Sequence, residues 1–186
     1  TNLKVKNIFD TQTANAFLGN SFSVSYQDLV KETLGVSISK QETRSNWIRR
    51  PLRNSQLNYA ASDVQFLIEL YSSQRRELIS SKKIDWFKEE LNTISSNVYL
   101  DRSSKSNKDS KSFPKENSLL REFNKIIVEV SERECINETL LFSKKNQRDF
   151  VDSVSKIGLE LSIKNLTNWR TELLHKSLRL IFKDLA

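Results

Sequence analysis

Residues 55–77 are the longest stretch of this sequence that has a helical pattern and contains neither Gly nor Pro. At 100° per residue, the stretch is apolar on two opposite sides. A helix that is apolar on two sides is largely buried. We therefore predict one uninterrupted, mostly buried helix around which the rest of the chain is arranged. Its broad side, called here the apolar band, consists of Leu57, Ala60, Ala61, Val64, Leu67, Ile68 and Tyr71; its narrow side, the Tyr59 stripe, consists of Tyr59, Asp63, Phe66 and Leu70.

Asp63 is the charged member of the Tyr59 stripe. Burying an unpaired carboxylate is costly, so we expect Asp63 to have a partner: a cation, a hydrogen-bond donor or a metal ion. Tyr59 lies four residues earlier, which places its phenol and the carboxylate on one face, one turn apart. The pattern by itself favours an ordinary hydrogen bond between these two side chains at the edge of the core.

The sequence segments around Tyr59 and Asp63 change the interpretation of this pair. The segment YAASDV at 59–64 follows SNWIRRPL at 45–52 and FDTQTANAFLG at 9–19. This order resembles the third exonuclease motif of the ribonuclease D family, and the resemblance extends over residues 8–100. The family motif is Tyr, three residues, Asp, which Tyr59 and Asp63 match. A histidine subtype would have His at position 58, where this chain has Asn58, so the tyrosine subtype is favoured.

The resemblance implies a 3′→5′ exonuclease that hydrolyses terminal phosphodiesters. It implies four carboxylates holding two divalent ions, Mg²⁺ or Mn²⁺, about 4 Å apart, with Asp63 as one metal ligand and Tyr59 orienting the attacking water. The other three carboxylates belong to two earlier motifs that this sequence lacks. The segment at 10–12 resembles the Asp-x-Glu of the first motif, but Gln12 cannot supply an anionic oxygen, so we interpret it as structural. We therefore expect the 186 residues alone to be inactive.

Four arginines precede the central stretch within ten residues: Arg44, Arg49, Arg50 and Arg53. Arginine is well suited to bidentate contact with phosphate, so these residues are candidates for binding nucleic acid. A solvated basic loop that binds nothing is an equally open alternative. We expect Trp47, in the same loop, to pack against the protein rather than to stack on a base.

The predicted fold is mainly α and has two parts. The resemblance assigns residues 1–100 to the C-terminal portion of an α/β, RNase H-like exonuclease domain. Residues 4–9 alternate loosely between apolar and polar side chains, and this pattern predicts a strand. Residues 101–116 are rich in serine and charge and are predicted to be a linker. Residues 117–186 resemble the HRDC-like helical domain of ribonuclease D-type proteins. We expect this bundle to fold alone and residues 1–100 to be marginally stable, because their apolar faces suit neighbours encoded upstream. The absence of methionine suggests a processed chain or a fragment.

Composition limits the partners and the setting. The formal charge is +7, which favours an anionic partner, and it is spread over all three segments. No glycine-rich phosphate loop, zinc spacing or Ser-His-Asp set occurs. Cys135 is the only cysteine, so a reducing cytoplasm is the simplest location. No apolar run is long enough to cross a bilayer. We expect a cytoplasmic monomer that acts on RNA, with tRNA precursor 3′ ends as the implied substrate.

Two other functions stay open. The chain could be a non-catalytic nucleic-acid-binding module that uses the basic loop and the helical tail. It could also belong to a DNA-directed 3′→5′ exonuclease, since the tyrosine subtype includes enzymes of that kind.

Overall fold

A computed structural model describes residues 7–39, 41–100 and 114–183. These residues form helices and contain no strand, so the mainly α prediction is confirmed for them. The first half of the strand predicted at 4–9, residues 4–6, lies outside the described residues, and residues 7–9 are not in a strand. None of the helices described is long and apolar enough to cross a membrane. The helices are α1 Thr11–Phe17, α2 Tyr26–Leu34, α3 Asn54–Gln65, α4 Leu67–Ser80, α5 Ile84–Leu100, α6 Pro114–Arg133, α7 Glu138–Phe142, α8 Lys144–Ile157, α9 Leu159–Lys164 and α10 Asn168–Ile181.

The central stretch is two helices, so the prediction of one uninterrupted helix was wrong. The break lies at Phe66, whose φ and ψ are −103° and 8°. The Tyr26 hydroxyl accepts the Phe66 N–H at 3.2 Å and donates to the Ser62 carbonyl at 3.1 Å. These are the two groups that would bond to each other in a continuous helix. A side chain inserted into the ladder in this way is a known cause of helix interruption.

The apolar band is exposed, and the prediction that the stretch is buried on both sides was also wrong. Val64 and Ile68 are 61% and 76% exposed, and Leu57 is 51% exposed. The Tyr59 stripe is the side that faces the protein. At its end Leu70 is fully buried and packs with Leu29 and Val30 of α2.

A second and larger core contains residues from both predicted parts of the chain. Phe17 of α1 and Phe87 of α5 belong to the same buried cluster as Phe123 of α6 and Trp169 of α10. The rings of Phe17 and Trp169 are 5.1 Å apart. Helix α6 begins at Pro114, so the last three residues of the predicted 101–116 linker are helical. The division into exonuclease and HRDC-like domains stays a prediction, whereas the described residues of the two parts share one core.

Buried polar contacts also join the two parts. The Arg170 guanidinium makes two parallel bonds to the Glu90 carboxylate, at 2.6 and 2.9 Å, and Trp169 donates to the same carboxylate at 3.0 Å. The Lys83 ammonium donates to the carbonyls of Phe17 and Cys135 at 2.9 and 2.8 Å. Burial lowers the pKa of Lys83, and these two carbonyls replace part of the water that the ammonium has lost.

Candidate functional site

Tyr59 and Asp63 both point from α3 toward α2, but they are not bonded to each other. The side-chain amide of Gln27 donates to the Tyr59 hydroxyl at 3.3 Å and makes a long contact of 3.5 Å to Asp63 Oδ1. The Tyr59 hydroxyl also bonds Thr43, at 3.0 Å. The structural hydrogen bond that the pattern favoured is therefore absent among the described contacts, and an amide lies between the phenol and the carboxylate.

An open cavity of about 420 Å³ lies over this pair. It is lined by Thr43, Trp47, Tyr59, Ala60 and Asp63. Asp63 is half-buried rather than enclosed by apolar residues, so the expectation that it sits in a buried apolar line was wrong. Its carboxylate opens to the cavity and, apart from the long Gln27 contact, has acceptor positions left for a ligand.

The floor of the site is held by α2. Tyr26 and Phe66 pack against the small cluster formed by Leu29, Val30 and Leu70. Since Tyr26 also bonds the backbone at the Phe66 break, it fixes α3 on α2 and so places Gln27 next to Tyr59. Gln27 and Thr43 were not identified from the sequence, because they lie 32 and 16 residues from Tyr59 and no local periodicity links them to it.

The basic loop is tied to α3 by Gln56, another residue that was not identified from the sequence. Gln56 is buried, and its amide donates to Ser45 Oγ at 2.9 Å and to the Asn46 carbonyl at 3.1 Å. Its Oε1 accepts the Arg53 N–H at 3.0 Å, which satisfies one backbone donor at the start of the helix. A Gln three residues after the helix N-cap is a usable sequence signal for this role.

The four arginines of the loop are not equivalent. Arg53 pairs with Glu42 at 2.8 Å. A hydrogen bond from Ser55 lowers the pKa of Glu42, with smaller contributions from Ser45 and Arg53, so this carboxylate stays charged beside Arg53. Arg50 donates to the Trp47 carbonyl at 2.8 Å. Arg44 and Arg49 are exposed and are therefore the more available phosphate ligands.

Trp47 packs against Tyr59 as expected, with ring centroids 5.9 Å apart. Its indole N–H donates to the Glu42 carbonyl at 3.2 Å. The ring therefore forms one wall of the cavity and supports the phenol, and its position is fixed by the loop.

Comparison with known proteins shows what the part of the chain that carries this site is similar to. Residues 1–79 match the family described as 3′-5′ exonuclease. The chain is 40% identical over 94 residues to ribonuclease D of Xanthomonas oryzae pv. oryzae and 46% identical over 83 residues to ribonuclease D of Pseudomonas paraeruginosa. This chain is similar to ribonuclease D over about half of its length. The resemblance found in the sequence is thereby confirmed.

The match to these ribonuclease D proteins is partial in length. It covers 50% and 45% of this chain and 26% and 22% of the relatives. The chain thus spans about a quarter of the length of the curated relatives it matches. A crystal structure of Escherichia coli RNase D is described as that of an exoribonuclease involved in structured RNA processing. Its alignment with this chain covers 97% of this chain and 49% of the E. coli chain, with 18% sequence identity and a TM-score of 0.48.

Asp63 could supply one ligand to the two-ion site that the family resemblance implies, but the residues around it do not complete such a site. Its carboxylate is an oxygen ligand of the kind that Mg²⁺ and Mn²⁺ prefer. The other polar side chains beside it are the phenol, a threonine hydroxyl and an amide. Within the described residues, no group of three or more His, Cys, Asp or Glu side chains could hold a metal ion. The cavity therefore supplies one ligand toward a two-ion site.

Asp10, the residue that resembles a first-motif aspartate, has a structural role at the start of α1. Its Oδ1 accepts the N–H groups of Gln12 and Thr13 at 2.8 and 3.3 Å, and its Oδ2 accepts the Thr13 hydroxyl at 3.1 Å. This is a helix N-cap. The contacts support the interpretation of the 10–12 segment as structural.

Proposed function

We propose that this chain forms part of a 3′→5′ exoribonuclease and that Tyr59 and Asp63 work at its reaction centre. The observation that carries the proposal is the placement of the phenol and the carboxylate. They lie one turn apart over one open cavity, separated by the Gln27 amide, inside the segment that matches the 3′-5′ exonuclease family. The finer proposal, which rests on the family resemblance, is that the substrates are tRNA precursor 3′ ends.

Each residue of the site has a distinct task in this proposal. Asp63 supplies one carboxylate to the divalent ions, and Tyr59 orients the attacking water through its hydroxyl, which Thr43 and Gln27 hold in place. Two such ions, when bound, supply charge stabilisation at the attacking and leaving oxygens. Mg²⁺ generally binds one or two carboxylates together with substrate phosphates, so further carboxylates must come from outside the described cavity.

A non-catalytic nucleic-acid-binding module is the second candidate. The observation that favours it is that Asp63 is the single carboxylate among the residues lining this cavity. In that case the exposed Arg44 and Arg49 would bind phosphates and no hydrolysis would follow.

A chimera separates these candidates. In it, residues 1–79 of this chain replace their counterparts in the Pseudomonas paraeruginosa relative. With Mg²⁺ and a 5′-labelled RNA, the exonuclease proposal predicts a ladder that shortens from the 3′ end, and 3′-labelled RNA should release a labelled mononucleotide. A DNA strand of the same sequence tests the DNA-directed alternative. A folded chimera that binds RNA without shortening it would support the non-catalytic module.

A further inference from the structure

A polar cavity of about 310 Å³ lies between α1, α2 and α4. Its described lining consists of two glutamates, three amides, a threonine and a leucine. The glutamates belong to different helices, Glu32 to α2 and Glu77 to α4. None of these lining residues is a cation, and none of them lines the cavity over Tyr59 and Asp63. The cavity is therefore a second space, negatively charged and separate from the candidate exonuclease site.

Gln74, which lines this cavity from α4, has a buried oxygen without a partner. The residue is 1% exposed. Its Nε2 donates to the Thr11 carbonyl at 3.0 Å, and this bond fixes the orientation of the amide. The oxygen, Oε1, lies on the other side of the amide and has no hydrogen-bond partner in the part of the chain that the structure describes. A buried acceptor without a donor is costly, so this oxygen indicates a ligand held in the cavity.

The two other amides of the lining use their NH₂ groups within the protein. Asn15 is 3% exposed, and its Nδ2 donates to the Ser21 carbonyl at 2.9 Å. Its Oδ1 accepts Asn20 Nδ2 at 3.2 Å. Each of the three lining amides thus donates to a protein acceptor. What the lining offers to a ligand is mainly oxygen acceptors, so the ligand must bring positive charge or hydrogen-bond donors.

The two carboxylates of the cavity are not neutralised by the protein. Among the described ion pairs, none involves Glu32 or Glu77. The Ser73 hydroxyl donates to Glu77 Oε1 at 3.3 Å, and this neutral contact leaves the charge in place. Both side chains are exposed and keep acceptor positions for a ligand. The unpaired charges and the orphaned Gln74 oxygen therefore call for the same kind of partner, a cation.

We propose that this cavity binds a hydrated divalent cation of the Mg²⁺ type, which links α2 to α4. Carboxylate and amide oxygens are the ligands that such ions prefer. Mg²⁺ usually keeps several waters and binds one or two carboxylates. A water takes up about 30 Å³ in the liquid, so the cavity has room for the ion with its first water shell. The waters on the ion are donors, which suits a lining of acceptors. The ion is structural, and its binding does not depend on the proposed exonuclease function.

The test is Mg²⁺ binding by the full 186-residue chain, measured by isothermal titration calorimetry in an Asp63→Asn background. This background removes the candidate exonuclease ligand, so the heat that remains comes from another site. We expect binding, and a thermal unfolding midpoint that rises with Mg²⁺ concentration, because a ligand of the folded state stabilises it. Glu32→Gln and Glu77→Gln should each weaken binding by at least about tenfold, through lost Coulomb attraction to a divalent ion. Gln74→Met should weaken it by about fivefold, the value of a typical hydrogen bond.

The matched control is Glu69→Gln, which removes the same charge from an exposed glutamate of α4 that does not line the cavity. It should leave Mg²⁺ binding unchanged. Should Gln74→Met unfold, the two glutamate variants, which change exposed side chains, give the same decision. Absence of Mg²⁺ binding in the Asp63→Asn background would overturn the proposal, and so would equal affinities for the parent and the folded glutamate variants. It would also be overturned if putrescine raised the unfolding midpoint as much as Mg²⁺ at equal concentration, because an organic cation would then be the ligand.

Discussion

Gln27 decides how the two main residues of the candidate site are used. Its amide donates to the Tyr59 hydroxyl and contacts the Asp63 carboxylate, so the phenol does not neutralise or mask the carboxylate. Both groups keep free acceptor positions toward the cavity. A purely structural pair would use each other as partners, and this arrangement leaves both available to a substrate and a metal ion.

Replacing Tyr59 with Phe separates a catalytic role from a structural one. The variant keeps the ring and its packing on Trp47 and loses only the hydroxyl. We expect the trimming rate of the chimera to fall by about 10²–10⁴, as for a lost proton-transfer or orienting group. The free energy of unfolding should change by no more than about 1 kcal/mol, the net value of a typical hydrogen bond. A variant that loses stability but keeps its rate when folded would assign the hydroxyl to the fold.

The sequence was sufficient to identify the individual residues that carry a motif, but not the residues that hold those side chains in place. Tyr59 and Asp63 were identified as candidate site residues from their spacing and from the sequence segments around them. Gln27 and Thr43 do not, because they reach the site through the packing of α2 and of the loop against α3. Tertiary contacts of this kind leave no period in the sequence.

Helix α3 ends where a hydroxyl from another helix enters its hydrogen-bond ladder. Periodicity reports which residues share a face, but it cannot report that Tyr26 bonds both Ser62 and Phe66. It also identifies apolar faces without showing which one is covered. This is why the apolar band was predicted to be buried, although in the structure the Tyr59 stripe faces the protein and the band faces outward.

Substitutions on the apolar band and on the Tyr59 stripe test which of these two faces is buried in the folded protein. Leu70 is fully buried, so Leu70→Ala should cost about 2–5 kcal/mol of unfolding free energy. Val64→Ser and Ile68→Ser change exposed side chains and should each stay within about 0.5 kcal/mol. Urea denaturation of the three variants gives the comparison. If Ile68→Ser lowered the unfolding free energy as much as Leu70→Ala, the apolar band would be buried in the protein, contrary to the structure.

The described residues before and after segment 101–113 pack together around one shared hydrophobic core. The core that contains Phe17 also contains Phe123 and Trp169, and the Glu90–Arg170 pair bridges the two sides while 10–14% exposed. Local patterns correctly predicted helices in both parts of the chain. They could not reveal contacts between residues 79 to 80 positions apart. The shared core argues against the expectation that the C-terminal bundle folds alone.

Glu90→Gln tests this coupling. Removing the charge leaves the Arg170 guanidinium buried without its counterion, which typically costs about 3–5 kcal/mol. Glu160→Gln is the matched control, because its pair with Arg179 is exposed and should contribute only about 0–1 kcal/mol. Chemical denaturation should show one transition that shifts as a unit in Glu90→Gln. A separate transition of the C-terminal helices that does not move would show that the bundle is independent.

The 186 residues by themselves are expected to leave RNA intact, since one carboxylate does not hold two divalent ions. The central claim, that Asp63 is a working metal ligand of an exonuclease site, is therefore tested in the chimera. The measurement is the Mg²⁺-dependent release of the 3′-terminal nucleotide by Asp63→Asn, with Glu69→Gln as a control that alters an exposed carboxylate in the same segment. We predict that Asp63→Asn abolishes release without unfolding the protein, while Glu69→Gln leaves it unchanged. Release by a folded Asp63→Asn chimera at the rate of its parent would contradict the account.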